Sequence, residues 1–113
     1  MSLRQATLAI MNETNPDKPQ WDVALEALLT DSQRAAGQAL DQAHLQQLAS
    51  AHNIRLDDLL DTLCRLQEHG LWQFRDRDGT PRKPDEAVVK MLHANHRLNA
   101  VQLERLAGSW LPS

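Results

Sequence analysis

One cysteine, Cys64, stands among 113 residues, so no disulfide can close within the chain. That usage agrees with a reducing compartment. Aromatics are equally scarce, with three Trp, one Phe and no Tyr, which leaves the core to be built from aliphatic side chains. No apolar run approaches the roughly 20 residues of a membrane span, and the N-terminal residues lack the basic-then-apolar order of a secretory signal. A cytoplasmic protein with no membrane partner is expected. The four glycines form no phosphate-cradling loop, and no carboxylate pair stands in apolar surroundings. Neither catalysis nor a cofactor is expected.

What is present describes one folded domain over residues 1–113. Its apolar and charged fractions, 42% and 24%, are ordinary for a folded globular chain. Residues 1–36 carry two helical patterns. Ser2 with Gln5 forms a capping box, and Leu3, Ala6, Ile10 and Met11 make a stripe predicting a helix over Leu3 to Glu13. Asn15 to Pro19, with two prolines, is a connection. Trp21 opens a second helix with Val23, Ala24, Ala27 and Leu28 on one side. Thr30 and Gln33 restart or bend it before Gly37.

From Asp41 to Pro84 the pattern becomes more specific. Asp41 caps a helix whose apolar positions Leu45, Leu48 and Ala49 share a face, ending near His52 and Asn53. Leu56, Leu59, Leu60, Leu63 and Leu66 then repeat at helical spacing up to Gly70. Beyond it the period falls to two, with Trp72 and Phe74 on one side and Gln73, Arg75 and Arg77 on the other. Asp78-Gly79 signals a type I′ hairpin, and Thr80 to Lys83 can return as the partner strand, with Pro81 confining it to an edge.

The run HLQQLASAHNIRLDDLLDTLCRLQEHGLWQFRDRDGTPRKP resembles the winged helix-turn-helix superfamily over about four-tenths of the chain. The resemblance implies a mainly α fold whose core, residues 41–84, is a helix-turn-helix plus a short β-hairpin. It makes Leu56 to His69 the recognition helix and Trp72 to Lys83 the wing, with a short strand over Gln38 to Leu40. Residues 85–113 add C-terminal helices. Ala87, Val88, Met91 and Leu92 share one face of the first; Asn99 and Gln102 cap the second, which Gly108 closes. Trp110 and Leu111 remain outside these elements, either folded onto the core or offered to a second copy in a homodimer.

Charge separates the functional readings. From Arg55 to His69 the net charge is minus two, and Asp57, Asp58 and Asp61 are expected on the outward surface that a recognition helix turns to a major groove. Nucleic acid binding relies on Lys and Arg at the phosphates, so these carboxylates oppose it. The favoured reading is a regulatory or adaptor module that meets a protein partner through Asp57, Asp58, Asp61 and Arg65. The alternative is a transcriptional regulator that binds double-stranded DNA through the same helix, with Arg75, Arg77, Arg82 and Lys83 of the basic wing on phosphates. His93 and His96 have metal-pair spacing but no further ligands, and read as solvent-facing residues near a helix C-terminus. Cys64 reads as a partly buried apolar residue.

Overall fold

The computed structural model describes residues 21–113. The expected Leu3 to Glu13 helix and the Asn15 to Pro19 connection lie outside the described residues. Helix α1 spans Val23–Ala36 without a break at Thr30. It starts one residue after Asp22, whose side chain accepts from the Leu25 amide at 3.1 Å, so Trp21 lies ahead of the cap. Gly37 ends it at φ 69°. The buried face is set by Leu29 with Leu25 beside it, while Val23 is exposed. The predicted stripe was therefore turned the wrong way, because alanines at 24 and 27 lengthened it without having to be inside.

Strand β1 is two residues, Leu40–Asp41, and runs directly into helix α2, Gln42–Ala51. Asp41 caps α2 by accepting from the His44 amide at 2.9 Å, and Leu45 and Ala49 are buried. The turn into helix α3, Leu56–Glu68, uses Asn53 at φ 55°. Helix α3 is the centre of the molecule, packed against α1, α2 and a following strand β2, Trp72–Arg75. Leu59, Leu60, Leu63 and Leu66 are completely buried, each burial stabilising by about 1.5–3 kcal/mol before chain entropy is counted. Strand β2 alternates as predicted, with Trp72 and Phe74 inside.

The hairpin differs from expectation. Only Gly79 takes positive φ, at 82°, so the Asp78-Gly79 pair cannot be type I′, which needs both central residues there. Instead Asp76 folds the turn: its amide donates to the Thr80 carbonyl, and its side chain accepts from the Asp78 and Thr80 amides at 2.9 and 3.1 Å. The return leg makes a single bridge, Arg75 with Pro81, and an Arg82 amide bond to the Phe74 carbonyl. Thr80 to Lys83 is thus not the partner strand.

That strand arrives from the other end of the described chain. After the turn come helix α4, Glu86–His93, capped by Asp85, and helix α5, Ala100–Glu104, with the Asn99–Gln102 capping box formed. Strand β3, Ser109–Pro112, then lies antiparallel between the other two, giving the order β1-β3-β2. Trp110 pairs with Leu40 on one side and Phe74 on the other, and is buried. Its ring meets the Phe74 ring at 4.7 Å between centroids. Gly108 closes no helix: a Cβ there would collide with the Arg75 carbonyl oxygen, so only glycine lets β3 approach β2 so closely. Helix α4 packs on α3 through Val88, Val89 and Leu92, whereas Ala87 is exposed. The described residues are mainly helical, five helices beside one small antiparallel sheet, and no helix among them is long and apolar enough to cross a membrane.

Candidate functional site

Asp57, Asp58 and Asp61 sit in the first half of α3, opposite its leucines, as the helical period requires. The surface they occupy is not open, and the expectation of a free outward row is corrected. Helix α4 and the turn that follows it lie along this side. Asp57 accepts from the Leu98 backbone amide at 3.2 Å, and Asp58 holds Arg55 in a two-point contact at 2.9 and 3.2 Å. Arg55 also reaches Asn95 at 3.4 Å. Asp61 accepts from Arg65 at 3.0 Å and faces His93 Nδ1 at 2.6 Å. The other ring nitrogen of His93 lies 3.0 Å from Glu68.

His93 is therefore half-buried between two carboxylates and is not solvent-facing, although His96 is exposed. No local pattern could have shown this, because Asp61 and Glu68 stand 32 and 25 residues away from it in sequence. Within α3 only Glu68 is exposed; every other side chain is buried or half-buried. Cys64 is buried completely, and desolvation, helped by the nearby Asp61 and Glu68 charges, pushes its thiol far above the usual range. Such a thiol is a poor nucleophile.

The basic residues are arranged differently. Arg75 lies on the sheet face turned away from Trp72 and Phe74 and donates to Gln73 at 3.0 Å. Arg77 pairs with Glu104, and Arg82 stands 3.7 Å from Asp76. Lys83 is exposed. Between the turn and α5 is an open cleft of about 330 Å³ lined by Asp76, Arg77, Asp78, Arg82, Glu104 and Arg105. Charges of both signs alternate around it, so it holds no concentrated field for an anion. Among the described residues no group of three or more His, Cys, Asp or Glu side chains is placed to hold a metal ion.

The structure thus gathers Asp57, Asp58, Asp61 and Arg65 into one strip on α3 and keeps Arg75, Arg77, Arg82 and Lys83 around the separate 76–83 turn. Sequence reasoning missed the segment that joins the strip, His93, Asn95 and Leu98. Neither a family model, a curated protein nor a solved structure matches this chain.

Proposed function

We propose that the chain is a winged-helix module of non-enzymatic character, acting in the cytoplasm as a regulator or adaptor through protein contacts. The winged-helix reading is supported by the order of elements: a short strand, two helices joined by a tight turn, a second strand, and a returning strand paired with both. In this reading the wing is enlarged to hold α4 and α5 before its strand returns as β3.

One observation carries the choice of a protein partner over DNA. A helix that reads a major groove must offer a row of free side chains to base edges. Helix α3 offers almost none, because α1, α2, α4 and β2 close around it and its carboxylates are held by the chain's own groups. The exposed arginines of the 76–83 turn favour the second reading, DNA contact through phosphates, since such contacts need charge without an open helix.

The test is fluorescence anisotropy of labelled random duplexes with the full chain, at about 0.05 M and about 0.15 M salt, where counterion release separates strong from weak phosphate contact. Weak binding that vanishes at the higher salt is expected. Crosslinking through the exposed Lys83 and Lys90 in the host cell should yield a recurrent protein adduct. A defined duplex retained at the higher salt, and lost on changing Arg75 and Arg77 to Ala, would overturn the protein reading. Light scattering over a range of concentrations decides whether the partner is a second copy.

A further inference from the structure

His93 is the one side chain of α4 with both polar atoms against α3. Its Nδ1 is 2.6 Å from Asp61 Oδ1 and its Nε2 is 3.0 Å from Glu68 Oε2. An ionised carboxylate only accepts hydrogen bonds. A neutral imidazole has one N–H to give and presents a lone pair at the other nitrogen, whereas the imidazolium donates from both. The full pair of contacts therefore needs the protonated ring.

The position of the ring matters as much as its charge. Asp61, Cys64 and Glu68 follow one another at intervals of three and four, so they share a face of α3. A histidine that touches the first and the last spans the turn that holds Cys64. Of the other charged groups on the two helices, Asp57 accepts from the Leu98 amide, Asp58 holds Arg55, Arg65 lies 3.0 Å from Asp61, and Lys90, in the last turn of α4, lies 4.0 Å from Glu86. His96 and Arg97, in the turn that follows, are exposed.

We infer that His93 is a protonation-dependent latch, which holds the C-terminal end of α4 down over the α3 turn containing Cys64. With the ring protonated both ends of the clamp are made. Loss of a proton leaves one nitrogen's lone pair facing a carboxylate, and that end lets go. The clamp is complete only while the ring is protonated and both carboxylates are ionised. This inference does not depend on whether the partner is protein or DNA.

Cys64 is the reporter, because it is the only thiol in the sequence and is buried in the α3 turn that the latch spans. Its modification by a dithiodipyridine is followed at about pH 5 and about pH 8. Each rate is divided by that of the same chain unfolded in urea at the same pH, which removes the intrinsic titration of the thiol. In the unaltered chain the normalised rate should rise several-fold between the two conditions. His93→Gln, which has no ring nitrogen to gain or lose a proton, should be several-fold faster at about pH 5 and lose the dependence. Glu68→Gln, at the more exposed end of the clamp, should give a smaller change in the same direction and serves if His93→Gln does not fold. Amide exchange in α2, which supplies none of the latch contacts, is measured alongside. A normalised rate that does not change with pH, a His93→Gln rate equal to that of the unaltered chain, or an acceleration in α2 equal to that at Cys64 would each overturn the latch.

Discussion

The acidic strip of α3 and the basic turn at 76–83 are two charged regions of the molecule, and they are held in opposite ways. The strip is partly covered. Its carboxylates are half-buried and meet a backbone amide, a histidine and two arginines that belong to the chain itself. The turn faces outward, its Arg77 and Arg82 side chains more than half exposed beside Glu104 and Asp76. Counting charges treats these regions alike. Burial separates them, because a contact made away from water is screened less and leaves a costlier unsatisfied group when broken.

Mutations should trace that difference from the centre of α3 outward. Leu63→Ala empties a completely buried site on α3 and should lower the stability measured by urea unfolding by about 2–5 kcal/mol. A loss below about 1 kcal/mol would mean that α3 is not the enclosed centre of the fold. Asp61→Ala removes the shared partner of Arg65 and His93 and should cost about 1–2 kcal/mol, reduced from a buried value because the carboxylate keeps 28% exposure. Asp61→Lys should cost more, contrary to the expectation for a free surface acid.

Away from the strip, Asp41 caps α2, and its bond from the His44 amide is the main reason its carboxyl titrates below the ordinary value. A carboxyl lowered in the folded state contributes stability above its unfolded value and loses it as the pH falls through the folded one. Asp41→Ala should thus cost about 1 kcal/mol at neutral pH, and this difference from the unaltered chain should shrink below about pH 4. Smallest of all, Arg77→Ala or Arg82→Ala should change the free energy of unfolding by less than about 0.5 kcal/mol, and added salt should erase even that. A large effect there would erase the contrast between the regions.

Local order was legible wherever it depended on neighbours in sequence. The leucine period of α3, the Asp41 cap, the Asn99–Gln102 box and the positive φ at Gly70 all follow from residues within a few places of each other. The alternation of Trp72 and Phe74 was legible for the same reason. The returning strand was not. Ser109–Pro112 buries only Trp110 and ends in a proline, so it carries no period, whereas Thr80 to Lys83 stood behind an Asp-Gly turn and looked like the better candidate. What decided between them was the fit of Trp110 between Leu40 and Phe74, a contact between distant segments. The site was partly legible in the same sense: the helical face carrying Asp57, Asp58 and Asp61 could be read, but not that α4 and Leu98 would come to lie on it.

The placement of β3 between β1 and β2 also has a consequence for how the molecule is made. Helices α2 and α3 can meet early, since only a short turn separates them, but the sheet cannot close until Trp110 has left the ribosome. Until then Leu40, Trp72 and Phe74 lack their middle neighbour, and two bare strand margins invite mispairing with other chains. Synthesis slowed or stopped shortly before that tryptophan would therefore release a species with its leucine-lined half formed and its sheet still sticky.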